Sequence, residues 1–192
     1  MQINKIACAA HPFSLLYRCF YYNARPYVKK GHLPISHRAI DYAKSDEASF
    51  RLSLFDLLRR RANFAVRLGE VRRERGWILS EQAQKDLLER KRTVDSLADT
   101  DFIPGFRQKA VDMRIGVDIT SISLKKQADT IILVAGDSDF VPAAKLARRE
   151  GVRIILDPMW RSVESALFEH IDGLRSGFPR PKGADVDGMD VC

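Results

Sequence analysis

The chain has 192 residues, of which 45% are hydrophobic and 30% are charged, and its formal net charge is +7 at pH 7. This length and composition are typical of one globular domain with a hydrophobic core. No apolar run reaches the length of a membrane span, and no signal-peptide pattern follows Met1. The three cysteines, Cys8, Cys19 and Cys192, lack metal-ligand spacing and predict free thiols in a reducing cytoplasm. The positive charge favours a polyanionic partner, although many basic proteins bind no nucleic acid.

The first half of the chain predicts two helices and two strands. Ile3–Ala10 is interpreted as part of a short helix, and the aromatic run Leu15–Tyr22 as a buried strand. A loop is expected from Arg25 to Pro34. Phe50–Arg61 has apolar residues at helical spacing and ends in three arginines, and Phe64–Gly69 predicts a second strand.

The second half of the chain is expected to continue the alternation of strands and helices. We predict a turn in the polar segment Arg72–Trp77, a charged amphipathic segment over Ser80–Asp99, and helices over Val111–Lys126 and Ser162–Ile171. Residues 178–192 are rich in turn residues and predict a flexible tail after a domain of residues 1–177. Alternating strands and helices favour an α/β fold with a parallel sheet covered on both faces.

The segment from Thr130 to Leu156 predicts a βαβ unit. The apolar run Thr130–Ala135 is followed by a helix in which Pro142 suits the first turn and Gly151 suits the far end. A second apolar run, Val152–Leu156, then returns to the sheet. Such units join parallel strands, and ligands of open α/β sheets bind beyond the carboxyl ends of those strands.

Two carboxylates, Asp137 and Asp139, occupy this ligand-binding position. Their charges repel on one tight turn, and a bound cation is the simplest way to make that arrangement favourable. Carboxylate oxygens suit Mg²⁺ or Mn²⁺, so we predict that this turn binds a divalent ion. The hydroxyl or backbone N–H of Ser138, between them, either contacts a phosphate or caps the following helix.

A further carboxylate, Asp118, interrupts the apolar stripe of the helix that precedes this unit. The stripe is formed by Val111, Ile115 and Ile122. A carboxylate on a buried face needs a basic neighbour, hydrogen-bond donors or a metal, so Asp118 is a site candidate or half of a salt bridge. Asp112 opens the same helix, where it either complements the helix dipole or acts as a ligand.

Residues 108–119 and 128–154 resemble the NYN domain, a group of PIN-like nucleases, and they are most similar to its bacterial LabA-like branch. The segments are QKAVDMRIGVDI and ADTIILVAGDSDFVPAAKLARREGVRI, and the strand and loop RCFYYNARPY over residues 18–27 also looks like that branch. The resemblance implies a three-layer αβα sandwich with a parallel, Rossmann-like sheet. It also implies an acidic Mg²⁺- or Mn²⁺-dependent site that cleaves RNA.

Carried over to this chain, the resemblance makes Asp118, Asp137 and Asp139 the catalytic and metal-binding residues, with Asp112 as a further metal ligand. One feature departs from the family pattern. The family's first strand carries an Asp-x-x-Asn motif, and we expect this chain to lack that strand, because Gln2–Ala10 fits the helix that follows it. Two expectations are open: either the true start lies upstream of Met1, or this is a shortened member of the family with impaired catalysis.

Basic residues near the predicted strand ends are candidates for RNA binding. Arg18, Arg25 and Arg67 are placed where they can line a groove, and Lys109 directly precedes the acidic helix. A solvated lysine is nearly as good an interpretation of Lys109. The expected partner is single-stranded or structured RNA rather than a membrane, and a homodimer that extends the basic groove is an open expectation.

Three classes of function compete. The first is a metal-dependent ribonuclease, favoured by the intact Gly-Asp-Ser-Asp turn. The second is a non-catalytic member of the fold that binds RNA or a protein, favoured by the missing first-strand aspartate. A phosphatase or nucleotide hydrolase is a weaker third hypothesis, because the sequence has neither a P-loop nor a phosphatase motif.

Overall fold

The structure is a computed structural model, and it describes residues 15–177 and Pro179. These residues fall into two compact units. We call Phe20–Val111 the antiparallel unit, and the described residues 15–19 together with those from Asp112 onward the parallel unit. The predicted helix at Ile3–Ala10, the absence of a first strand, and the tail over 178–192 (Pro179 aside) lie outside the described residues.

The antiparallel unit contains five strands and two α-helices among its described residues. They are β1 (Cys19–Arg25), β2 (Lys30–His32), β3 (Ala39–Asp41), α1 (Asp46–Arg59), β4 (Phe64–Leu79), α2 (Glu81–Leu88) and β5 (Phe102–Lys109). The strands form a three-stranded sheet in the order β1–β4–β5 and a separate β2–β3 pair. The pairs β2–β3 and β4–β5 are antiparallel.

Helix α1 begins four residues before the predicted start because of its cap rather than its apolar face. The Ser45 hydroxyl accepts a hydrogen bond from the backbone N–H of Ala48 over 3.2 Å. Asp46 and Glu47 lie in the first turn, where carboxylates complement the helix dipole. Phe55 is the large apolar side chain that this helix buries fully.

Strand β4 includes Arg72–Trp77, so the prediction of a turn there is wrong. This polar stretch is extended because it pairs with β5, more than twenty-five residues later in the chain, and part of it faces solvent. The pairing shifts register between Arg73 and Trp77, which marks a bulge or irregularity in the ladder. A local pattern of charges carries no information about such a distant partner.

Trp77 connects β4 with the smaller β2–β3 pair. Its indole Nε1 donates a hydrogen bond to the carbonyl oxygen of His32 over 3.0 Å. The Arg73 guanidinium carbon lies 5.5 Å from the centre of the Trp77 ring, within the range of a cation–π contact. The loop predicted for residues 25–34 therefore contains a short strand, β2, whose last residue accepts a hydrogen bond from Trp77 of β4.

The first strand also differs from its prediction. The sequence favoured a buried strand over Leu15–Tyr22, but β1 covers Cys19–Arg25 and most of its side chains are only half-buried. Leu15 is 97% exposed. Burial raises the pKa of the Cys19 thiol, which lowers its reactivity as a nucleophile.

The segment between α2 and β5 is closed by an ion pair between Arg92 and Asp101. The Arg92 guanidinium donates to both carboxylate oxygens of Asp101, over 2.8 and 2.7 Å. The Asp101 carboxylate also accepts from the backbone N–H of Ala98 over 2.8 Å. These donors lower the pKa of Asp101 from 3.8 to about 2, with the Arg92 hydrogen bonds as the largest cause.

The parallel unit is built around the predicted βαβ unit. Its elements are α3 (Val111–Leu124), β6 (Thr130–Leu133), α4 (Val141–Arg149), β7 (Arg153–Leu156), α5 (Ser165–Phe168) and β8 (Gly173–Leu174). Strands β6, β7 and β8 are parallel and adjacent in that order. The βαβ prediction is therefore confirmed, whereas the helix predicted over Ser162–Ile171 is only four residues long.

Small residues on α4 bring this helix close to the core of the parallel unit. Ala143, Ala144 and Ala147 are buried against residues of β6 and β7 that include Leu133 and Leu156. Pro142 lies in the first turn of α4. The helix is followed by Gly151 at φ +82°, a left-handed conformation that favours glycine.

The fold is a mixed α/β fold. The prediction of a wholly parallel sheet does not hold for β4 and β5, which pair antiparallel, and the three-layer αβα sandwich stays a prediction. Among the described residues, no helix is long and apolar enough to cross a membrane.

Candidate acidic site at the carboxyl edge of the parallel strands

The turn after β6 holds Asp137 and Asp139. Asp137 is the N-cap of a 3-10 turn over Ser138–Phe140, and its Oδ1 accepts a hydrogen bond from the Asp139 N–H over 3.1 Å. The turn continues into α4. Asp137 caps the 3-10 turn, and the N-cap residue of α4 is Phe140, which makes no side-chain capping hydrogen bond. The expectation that Ser138 caps the helix is therefore wrong.

The turn is anchored on one side and open on the other. Phe140 is buried in the core of the parallel unit, whereas the side chains of Asp137 and Asp139 are exposed. We call these two exposed carboxylates the acidic pair. The fold thus anchors the turn to the core through Phe140 and leaves the carboxylate oxygens accessible to ions or ligands from solvent.

Gly136 allows a neighbouring loop to approach the acidic pair. A Cβ atom at Gly136 would lie 3.2 Å from the carbonyl oxygen of Ser162, a closer contact than most side chains tolerate. In the same loop, Met159 and Trp160 adopt positive φ values of 50° and 65°. Residues near Ser162 therefore form part of the surroundings of the acidic turn.

Asp157 is a buried residue that forms hydrogen bonds at the carboxyl edge of the parallel strands. It directly follows β7, and its backbone N–H donates to the Leu133 carbonyl at the end of β6 over 2.8 Å. Its carboxylate accepts from the N–H groups of Met159 and Gly177, both over 2.9 Å. Asp157 is 1% exposed, and these contacts give its side chain a role in the turn that follows β7.

Neither acidic residue of α3 forms a three-ligand group with the acidic pair. Asp118 is half-buried beside the buried Ile119, and Asp112 is exposed in the first turn of α3. Within the part of the chain that the structure describes, no three His, Cys, Asp or Glu side chains lie close enough together to hold a metal ion. The roles of Asp118 and Asp112 as ligands stay predictions.

The chemistry of the acidic pair fits a Mg²⁺ or Mn²⁺ ion with few protein ligands. Mg²⁺ prefers oxygen donors, dehydrates reluctantly, and is commonly bound through one or two carboxylates together with water and substrate phosphates. Asp137 and Asp139 supply two such carboxylates on one fixed turn. Two protein ligands are therefore sufficient for a site of this kind.

The basic residues predicted to bind RNA are found in both units. Lys109 ends β5, and its Nζ lies 2.5 Å from the Glu74 carboxylate of β4. Arg25 is exposed at the end of β1. The guanidinium carbons of Arg67 and Arg18 lie 5.4 Å from the ring of Phe20 and 5.6 Å from the ring of Tyr17, respectively. Their RNA contacts stay predictions.

Comparison with known proteins identifies one family and one curated relative. The model of the NYN domain matches residues 40–169. An uncharacterized protein of Methanocaldococcus jannaschii is 24% identical over 127 residues, which are 64% of this chain and 53% of that protein. The chain thus spans about half the length of this relative. No solved structure matches the chain.

Proposed function

This chain belongs to the NYN domain family, and on that premise we propose that it is a metal-dependent ribonuclease that hydrolyses RNA phosphodiester bonds. NYN domains are members of the PIN-like nuclease superfamily. The single observation that carries the proposal is the acidic pair, two exposed aspartates fixed on one turn at the carboxyl edge of β6. Ligand sites of α/β proteins lie at this edge of the sheet.

The residues of the turn have distinct tasks in this proposal. Asp137 holds the backbone of Asp139 through its Oδ1, so the two residues stay next to each other on one turn before substrate arrives. Both carboxylates would hold a divalent ion, which supplies Lewis acidity at the scissile phosphate and a more acidic bound water. Phe140 keeps the turn attached to the core, so that binding does not require the turn to order.

RNA is favoured over a neutral substrate by charge. The chain has 32 lysines and arginines against 25 aspartates and glutamates, so the surface as a whole attracts a polyanion. The acidic pair itself repels phosphate. A divalent cation held by these residues would reverse that local repulsion, and cleavage is therefore expected to depend strictly on metal.

The test is cleavage of a labelled single-stranded RNA by the purified chain with Mn²⁺. Asp137→Asn keeps the size and the acceptor oxygen of the cap but removes one charge, and it should reduce cleavage to the level seen with EDTA. Asp129→Asn is the matched control, because Asp129 is an exposed aspartate just before the amino end of the same strand. This variant should cleave like the wild type.

Two results would overturn the proposal. The first is equal cleavage by the wild type and Asp137→Asn, which would place the activity elsewhere or in a contaminant. The second is binding of RNA by the folded wild type without cleavage at any Mn²⁺ or Mg²⁺ concentration. That result would establish the non-catalytic RNA-binding alternative, which the lack of a three-ligand group among the described residues favours.

A further inference from the structure

A cavity of about 200 Å³ lies within the antiparallel unit, distinct from the acidic pair. Three aromatic rings, those of Tyr27, Tyr42 and Phe106, contribute to its lining. Pockets for drug-sized ligands have volumes of about 300–1,000 Å³, so this cavity suits a smaller group such as one planar ring system.

The three rings contact one another and form a single aromatic wall. The ring centres of Tyr27 and Phe106 are 4.7 Å apart, and the Tyr42 ring meets both of them edge-on at 5.4 and 5.1 Å. Every nucleobase has a flat π-face that stacks on such side chains, whatever its sequence identity. The wall therefore offers a surface that fits a base without selecting one.

Tyr42 carries a hydroxyl group that no other described residue engages in a hydrogen bond. The side chain is 8% exposed, and its buried hydroxyl has no hydrogen-bond partner among the described residues. A buried hydroxyl without a partner is costly, and a ligand that reaches it removes that cost. Burial also raises the pKa of Tyr42, so the hydroxyl is neutral near pH 7 and can both donate and accept.

Cations stand at the rim of the same cavity. The Arg107 side chain is 72% exposed, and it shares the single carboxylate of Glu74 with Lys109, which leaves this cluster with an excess positive charge. Arg51 also lines the cavity, but it pairs with Glu47 over 2.7 Å and contributes no net charge. A phosphate attached to the bound ring is thus attracted to the Arg107 side of the cavity.

From this arrangement we infer that the cavity of the antiparallel unit binds a nucleoside 5′-monophosphate, with the base against Tyr27, Tyr42 and Phe106 and the phosphate at Arg107. The nucleotide is either one unit of a single-stranded RNA or a free nucleotide. The RNA form rests on the proposed function, whereas binding of a free nucleotide does not. The site would hold RNA by stacking and charge rather than by base-specific contacts.

The test is a set of binding measurements on the full chain in EDTA, where metal-dependent cleavage is silent. A labelled ten-nucleotide adenosine RNA and free AMP are titrated separately, and an abasic phosphodiester of the same length serves as a backbone control. RNA and AMP should both bind, and the abasic strand should bind about tenfold or more weakly than the RNA.

Tyr42→Phe is the decisive variant, because it removes only the unpartnered hydroxyl. Affinity for AMP and for RNA should fall about five- to tenfold, while the melting temperature stays equal to that of the wild type or rises. Phe106→Leu should lower affinity by about tenfold through lost stacking. Phe50→Leu changes an exposed aromatic residue of α1 outside the cavity lining and should bind both ligands normally.

The outcomes separate this inference from the proposed function. Wild-type affinity for both ligands in folded Tyr42→Phe and Phe106→Leu overturns the inference, even if the chain cleaves RNA. If the folded wild type binds neither RNA nor AMP, the inference is overturned as well. Variant-sensitive binding without any cleavage supports the inference while contradicting the ribonuclease proposal. Loss of AMP binding but not RNA binding in the variants identifies the free nucleotide as the occupant.

Discussion

Asp137 accepts a hydrogen bond from the backbone N–H of Asp139, with 3.1 Å between the Oδ1 and N atoms. One member of the acidic pair therefore fixes the position of the other. The same carboxylate has two tasks in this arrangement, since it caps a turn and carries half of the negative charge at the candidate site. Substitutions that preserve or remove the cap separate these tasks.

Asp137→Ala and Asp137→Asn should differ in stability. Alanine removes the capping oxygen and should lower the free energy of unfolding by about 1 kcal/mol, whereas asparagine keeps an acceptor. The asparagine variant should be as stable as the wild type or slightly more stable without metal, because it relieves repulsion with Asp139. Urea unfolding in EDTA measures both values, and equal destabilisation by the two substitutions would contradict the capping role.

Divalent ions should stabilise the wild type through the acidic pair. Ligand that binds only the folded state raises stability with concentration, by about 2.7 kcal/mol at one hundred times the dissociation constant. The melting temperature should therefore rise with Mn²⁺ in the wild type and in Asp129→Asn, and stay constant in Asp137→Asn. A rise of equal size in all three proteins would show that Mn²⁺ binds elsewhere.

The parts of the fold predicted correctly are those whose signals are local. The βαβ unit was readable because its strands are continuous apolar runs and its helix is bounded by Pro142 and Gly151. The sequence does not predict the full length of strand β4, because half of this strand is polar and its conformation depends on pairing with β5. Helix α1 likewise begins at Asp46 and not at the predicted Phe50, because its cap, Ser45, lies outside the apolar pattern.

The candidate site shows the same division between local and distant information. The turn with Asp137 and Asp139 follows from a strand, a glycine and a helix start in sequence. The clustering of Tyr27, Tyr42 and Phe106 has no sequence pattern, since the last of them is more than sixty residues from the others. Only the folded chain brings those rings together.

Two glycines of β4 should differ in how much substitution by alanine destabilises the protein. A Cβ atom at Gly69 would lie 2.2 Å from the Lys109 carbonyl oxygen, a backbone atom that cannot move without separating β4 from β5. Gly69→Ala should therefore cost about 3 kcal/mol or more in unfolding free energy.

Gly76→Ala is the matched control, because a Cβ atom there meets no atom within 4 Å. Its unfolding free energy should stay within about 0.5 kcal/mol of the wild-type value. Chemical denaturation of both variants checks the pair. Equal stability of the two would mean that the ladder between β4 and β5 tolerates displacement at Gly69.

The ion pair of Asp101 with Arg92 should make stability depend on pH in the acid range. The pKa of Asp101 is about 2 in the folded state against 3.8 for an ordinary aspartate side chain, so between these values the unfolded chain binds more protons. The stabilisation is fully present above about pH 4 and is lost as the pH falls through about 2.

Asp101→Asn isolates this contribution. The difference in urea midpoint between the wild type and Asp101→Asn should be largest near pH 5 and should shrink steadily toward pH 2. Other carboxylates titrate in the same range, but they do so in both proteins and cancel in the difference. A difference that stays constant from pH 5 to pH 2 would show that the ion pair does not stabilise the fold.

The two tryptophans of the chain are divided between the two compact units, with Trp77 in the antiparallel unit and Trp160 in the parallel unit. Intrinsic fluorescence therefore contains one emitter for each unit. Trp77→Phe leaves an emission that reports on the loop next to Asp157, and Trp160→Phe leaves one that reports on the contact between β4 and β2. With these two single-tryptophan proteins, the unfolding of each unit can be followed separately in the intact chain.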